Sequence, residues 1–260
     1  MRNIAVFCND PVLIGDAEKL AANLSLPLLK TIPLFKNFSY LLKVQADGLG
    51  LWDNTERPSK AIYIDFVSEE FIYRINHGGG KNQAVARAVG IKSNFKPYVL
   101  DTTAGLGRDG FVLAALGCKV VMIERNKIIH ALLQDGLKRA AQYEKYNDIL
   151  SRIKLIFSDS KLYLQHLLNQ DGLHRDWPDV IYIDPMFPDR NKSAKVKKSM
   201  ATMHEIVGID ENVSEILALA LKIAKKRVVI KRLRLDKNMD ADNQIIGKTN
   251  RFDVYFPIAL

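Results

Sequence analysis

From Pro97 onward, short apolar runs alternate with longer stretches in which apolar residues recur every three or four positions. The runs Tyr98 to Asp101, Lys119 to Glu124, Lys154 to Phe157, Val180 to Asp184 and Arg227 to Lys231 are too continuously apolar for half-exposed strands. They predict a parallel sheet covered on both faces. The intervening stretches predict helices. One opens at Asn126 as N-cap and sets Ile129, Leu132, Leu133, Leu137 and Ala140 on one stripe. A second opens at Ser160 and carries Leu164, Leu167 and Leu168; a third places Val213, Ile216, Leu217, Ala220 and Ala224 on a common face. Gln244 to Ile246, a turn containing Gly247, and Phe252 to Phe256 close the chain as an antiparallel hairpin. The expected fold is α/β: a Rossmann-like, doubly wound, mostly parallel sheet, with ligands beyond the carboxyl ends of its strands.

Residues 1–75 lack this alternation. Arg2 to Phe7, Ser39 to Val44 and Ala61 to Val67 are short β-prone runs, separated by turn-formers such as Gly48, Gly50, Asp53, Asn54 and Pro58. They predict a small N-terminal α/β subdomain over 1–75, with the sheet domain over 76–260. The run Ile4 to Phe7 is too short for a signal-peptide core, and Ile216 to Ala224 is interrupted by Lys222 and too short for a membrane span. A soluble, cytoplasmic protein is expected, with no membrane partner.

Composition adds a partner class. The 260 residues are 48% hydrophobic, enough for a full core, and carry a formal charge of +9, which favours polyanions and nucleic acid first. Cys8 and Cys118 stand far apart and the five histidines are scattered, so neither a disulfide framework nor a metal site is expected.

The candidate chemistry lies at two strand ends. Gly105-Leu-Gly-Arg-Asp-Gly110 follows the first strand, and Glu124 ends the next, where an acid grips a ribose diol. The glycines alone suit a nicotinamide cofactor as well as S-adenosylmethionine (SAM). Asp101, four residues before Gly105, separates the two. A diphosphate beside this carboxylate is repelled by about 1 kcal/mol in water and several-fold more in a partly screened site. SAM brings an ammonium and a sulfonium, and the repulsion becomes attraction. Asp109 adds a second negative charge, and Arg108 answers a carboxylate of the ligand or pins the loop. Asp159 and Ser160, after the third strand, stand where an adenine amine is met, or serve as a helix N-cap.

After the fourth strand comes Asp184-Pro-Met-Phe-Pro188. An exocyclic base amine is a weak nucleophile because its lone pair is delocalised. A catalyst therefore has to hold its N–H groups on acceptors and fix the plane of the base. Asp184 and the Pro185 carbonyl supply acceptors, and Phe187 a stacking face. Arg190, Lys192, Lys195, Lys197 and Lys198 on one side, and Lys231, Arg232 and Arg234 on another, read as a track for a phosphate backbone.

With those residues in view, the chain resembles the RsmJ family of bacterial 16S ribosomal RNA guanine-N2 methyltransferases. The resemblance runs from Ala61 to the C-terminus and is carried by Ile64-Asp-Phe-Val67, the Gly78-Gly-Gly segment with Ala86 to Lys92, Asp101 to Asp109, Glu124-Arg-Asn126, Asp184 to Pro188 with Lys192-Ser-Ala194, and Arg251 to Tyr255. Thr102 stands where alanine is expected and Leu233 where proline often occurs; residues 1–60 match only loosely. The resemblance implies the SAM-dependent methyltransferase fold, 16S ribosomal RNA or the small subunit as partner, and SAM contacts at Arg108, Asp109, Glu124, Arg125, Asp159, Ser160 and Asp184. Competing readings are an amino-methyltransferase acting on DNA adenine or cytosine, a nicotinamide oxidoreductase, and a non-catalytic RNA-binding protein.

Overall fold

Each of the five apolar runs from Pro97 onward is a strand of one sheet in the computed structural model, which describes residues 4–33, 37–55, 61–77, 80–169, 176–186, 205–208, 212–236, 240–247 and 249–257. Through these residues the chain runs β1 (Ile4–Phe7), α1 (Ile14–Leu24), β2 (Leu28–Leu29), β3 (Tyr40–Gln45), β4 (Gly48–Asp53), β5 (Ile62–Tyr63), α2 (Glu69–His77), α3 (Ala84–Val89) and β6 (Tyr98–Asp101). It continues through α4 (Arg108–Ala115), β7 (Lys119–Glu124), α5 (Lys127–Ala140), α6 (Asn147–Leu150), β8 (Ile153–Phe157), α7 (Ser160–Asn169) and β9 (Val180–Ile183). The last elements are α8 (Val213–Ile223), β10 (Arg227–Leu233), β11 (Asn243–Ile246) and β12 (Asn250–Tyr255). They group into two compact units: Met1–Asp65 with Asn126–Gln142 and Met186–Ile209, and Phe66–Arg125 with Tyr143–Pro185 and Asp210–Leu260.

The second unit holds a seven-stranded sheet in the order β11-β12-β10-β9-β6-β7-β8. β10, β9, β6, β7 and β8 are parallel, and β12 runs antiparallel to both β10 and β11, as the closing hairpin predicts. The chain goes from β6 outward to β7 and β8, then returns to lay β9 against the other side of β6. That reversal is the switch point where an open parallel sheet leaves a crevice for ligand. The central strands are buried on both faces, with Val99, Leu100, Val120, Ile181, Val228 and Val229 fully enclosed. Phe111, inside α4, stacks on Phe66 with ring centroids 4.3 Å apart and meets Phe71 edge-on at 5.5 Å. This aromatic group fixes the helix that follows the glycine loop.

The first unit holds a five-stranded sheet, β2-β1-β3-β4-β5, with β1 parallel to its neighbours and β3, β4 and β5 antiparallel. The predicted strands at Ile4 and Tyr40 are present. The third, expected over Ala61 to Val67, shrinks to Ile62–Tyr63, and β4 occupies Gly48–Asp53, where turn residues were read. Pairing of six residues of β4 with β3, from Gln45 opposite Gly48 to Tyr40 opposite Asp53, outweighs the low strand propensity of its glycines. α5 starts where Asn126 predicts, the Asn126 carboxamide oxygen accepting from the N–H groups of Ile128 and Ile129 at 3.0 and 3.3 Å. Its far end is tied to the same small sheet. Asp135 accepts from the Leu49 N–H at 3.0 Å, and Arg139 donates to the Ile64 carbonyl.

Candidate active site

β6 ends on Asp101, and the backbone then turns up through Thr102, Thr103 and Ala104 into the glycine loop. Two of these residues are pinned to neighbouring strands. The Thr102 N–H donates to the Tyr182 carbonyl of β9 at 3.0 Å, and the Ala104 N–H to the Ile123 carbonyl of β7 at 2.9 Å. Gly105 and Gly107 adopt φ of 54° and 69°, the left-handed region that a side chain disfavours. These two turns let the Gly105 N–H reach the Glu124 carboxylate at 2.9 Å and start α4 at Arg108. Glu124 is nearly buried, at the end of β7, and faces the loop as predicted for a ribose-gripping acid.

Asp101 lies beneath the loop and is 2% exposed. Burial pushes its carboxyl up to about 8; Asp109 and Asp184 add to the rise, while the Thr103 N–H and the Lys231 ammonium oppose it. Asp109 is different. It lies in the first turn of α4 and its carboxylate takes three donors: Arg74 at 2.5 Å, Lys231 at 2.8 Å and the Tyr182 hydroxyl at 2.8 Å. Burial opposes its ionisation, but Lys231, then Arg74 and Tyr182, outweigh it and hold Asp109 down at about 2. The second negative charge expected at the loop is therefore present but neutralised by two cations.

Asp184 follows β9, the strand beside β6, two residues beyond Tyr182, which is in register with Asp101. Its N–H donates to the Thr103 hydroxyl at 2.6 Å, and its carboxylate receives Lys231 at 2.8 Å. Pro185 is buried beside it. Two adjacent strand ends thus bring one buried acid and one half-exposed acid to the same end of the sheet.

A family model of SAM-dependent methyltransferases matches residues 28–257. Ribosomal RNA small subunit methyltransferase J of Coxiella burnetii is 44% identical over 255 residues, spanning 97% of this chain and 96% of its own length. Its counterpart in Chromobacterium violaceum is 40% identical over 260 residues, 98% and 97% of the two chains. The chain belongs to the ribosomal RNA small subunit methyltransferase J family of SAM-dependent methyltransferases. A crystal structure of a SAM-dependent methyltransferase from Neisseria gonorrhoeae, 30% identical, superposes with a TM-score of 0.73 over 99% of this chain and 97% of its own.

The residues fit the family's cofactor. A buried carboxylate whose proton is held by desolvation is relieved by a positive charge, and SAM carries one on sulfur and one on nitrogen. The loop glycines and the inward-facing Glu124 suit the adenosine half. The other predicted contacts fall at the same end of the sheet. Arg108 and Arg125 are exposed. Asp159 caps α7, its carboxylate accepting from the Leu162 N–H at 3.1 Å, and the buried Ser160 hydroxyl donates to the Thr102 carbonyl. Phe187 and the run from Arg190 to Lys198 lie outside the described residues, as do Gly78 and Gly79.

One predicted group is relocated. Lys231 and Arg232 were read as part of a phosphate track, but both sit within β10 and pair with carboxylates: Lys231 with Asp109 and Asp184, Arg232 with Asp253 at 3.0 Å. Burial in a strand makes each ammonium or guanidinium a partner of internal acids, and only Arg234 of the three stays exposed. Thr103, Tyr182 and Arg74 were not anticipated at all. A signal for Lys231 was present. Val228-Val-Ile-Lys231 and Ile181-Tyr-Ile-Asp184 are two apolar strands ending on opposite charges, and Ile230 pairs with Ile183. For Arg74 there was none, since a helical arginine outside the motif carries no positional information.

Proposed function

We propose that this protein transfers a methyl group from SAM to the exocyclic N2 of a guanine in 16S ribosomal RNA of the small subunit. The observation that carries this reading is the placement of Asp184: its backbone is clamped by Thr103 and its carboxylate by Lys231, opposite Asp101 at the switch point. The names of the relatives point to the small-subunit ribosomal RNA, and the surplus of nine positive charges suits a polyanion.

In this reading the cofactor supplies an electrophilic methyl carbon bonded to sulfur. Asp101, Gly105, Gly107, Glu124 and the side chains at Arg108, Asp109, Arg125, Asp159 and Ser160 build the site that receives it, Asp109 acting by orienting the cations around it. Asp184 and the Pro185 carbonyl would accept the guanine amine's N–H groups and so fix the direction of its lone pair. As the nitrogen–carbon bond forms, the amine must shed a proton, and the carboxylate that holds it is placed to accept it. A paired guanine has to leave its stack to reach Asp184. Phe187, the aromatic residue of the motif, would supply a stacking face for the base.

Incubating the protein with methyl-labelled SAM and small subunits lacking the mark should put label on one guanine N2, read by mass mapping of the RNA. Label on DNA adenine or cytosine instead, or none on ribosomal RNA, would sink the proposal.

Binding of the cofactor should also release a proton. With the Asp101 carboxyl at about 8 before binding, most of it is protonated at neutral pH, and a cation beside it favours the ionised form. Affinity should therefore rise with pH up to about 8, by at most about tenfold per unit, and level off above it. Calorimetry in buffers of different ionisation enthalpy reads the proton directly. Asp101→Asn should abolish the release, and subtracting it removes the titration of the cofactor itself.

A further inference from the structure

We infer that Lys231 is the positioning residue that fixes the carboxylate of Asp184, with Asp109, Arg74 and Tyr182 as its foundation. The inference rests on the reading of Asp184 as the acceptor of the substrate amine.

Lys231 follows Ile230, which pairs with Ile183, so the parallel register of β9 and β10 brings Lys231 beside Asp184. Its ammonium lies 2.8 Å from one oxygen of Asp184 and 2.8 Å from one oxygen of Asp109. Asp109 is itself immobilised, by Arg74 at 2.5 Å on one oxygen and the Tyr182 hydroxyl at 2.8 Å on the other. The anchoring thus runs inward from a half-exposed acid at a strand end to a buried acid on α4 and a buried tyrosine within β9. The Asp184 side chain is 38% exposed on a backbone leaving the sheet, and a charge-assisted bond to an ammonium that is itself held from behind fixes the direction of its carboxylate.

Electrostatics point the same way. Asp101, Asp109 and Asp184 crowd one crevice, and the Lys231 ammonium sits between two of them. Lys231 itself cannot serve as the base. Burial works against its charge, yet Asp184 and Asp109 together keep its proton bound more tightly than in an ordinary lysine. Its contribution is geometric and electrostatic, exerted through Asp184.

A double-mutant cycle tests this. Lys231→Met should lower kcat about 100-fold, the scale expected for a misplaced reacting group, with the KM for small subunits changed little. In the Asp184→Ala background the same substitution should cost nothing further, because the group it acts on is gone. A purely structural ion pair would give equal losses in both backgrounds, and that outcome overturns the inference, as does an unchanged kcat for Lys231→Met. If Lys231→Met does not fold, Asp109→Asn carries the same cycle, with an expected loss of about tenfold. Should Asp184→Ala itself keep full activity, the underlying reading of Asp184 fails; should it lose activity while neither Lys231→Met nor Asp109→Asn does, this inference alone fails.

Discussion

Asp184→Ala should lower methyl transfer to small-subunit RNA about 10³-fold while leaving the protein folded and able to bind S-adenosylhomocysteine. The side chain is 38% exposed, and Lys231 keeps its second partner, Asp109, when Asp184 is removed, so that ion pair survives the substitution. On the proposed reading, what is lost is the acceptor that holds the amine and takes its proton. Asp184→Asn separates the two parts: it retains an oxygen acceptor but has no charge and almost no basicity, and should fall between Ala and the native enzyme. Single-turnover assays with labelled SAM measure the chemical step, and thermal melting checks the fold. Wild-type rates in Asp184→Ala would remove the residue from the mechanism.

The largest effect on stability is expected at Asp253. It lies in β12, fully buried, and its two oxygens take the guanidinium of Arg251 at 2.7 and 3.0 Å, while Arg232 of β10 approaches at 3.0 Å. Arg232 and Arg251 face each other across the β10–β12 pair. Asp253→Ala strips two nearly buried cations of their shared carboxylate and should destabilise the protein by about 3–5 kcal/mol. Urea unfolding reads this as a lower midpoint at unchanged slope. Because Arg232 is adjacent to Lys231 in the chain, the variant should also lose activity at temperatures well below its new midpoint. A shift under about 1 kcal/mol would show that the cluster is solvated and dispensable.

The central strands of the seven-stranded sheet were legible because burial on both faces leaves a local mark, an apolar run a few residues long bounded by a charge or a glycine; β8, expected to be covered in the same way, is instead a half-exposed strand at the sheet's edge, with Phe157 57% exposed. Val180 to Ile183 and Lys119 to Glu124 needed no partner to be recognised. β4 was hidden because Gly48 and Gly50 have no intrinsic preference for a strand, and only pairing with β3 makes them one. Motif residues were legible for a related reason. Asp101, Glu124 and Asp184 each stand at or directly after a strand end, and Gly105 in the loop that follows one, where order along the chain nearly dictates which end of the sheet a residue reaches.

Sequence alone determined the sheet class, the family, and which loops follow the strand ends, since each is written in neighbouring residues. Which charges remain available there was decided only by tertiary structure. Asp109 reads as a bare acid until Arg74, 35 residues earlier, and Lys231, 122 residues later, fold against it; Lys231 reads as an RNA contact until β10 aligns with β9. The physical reason is that Coulomb interactions act through space, across partners that strand register brings within 3 Å and chain order does not reveal.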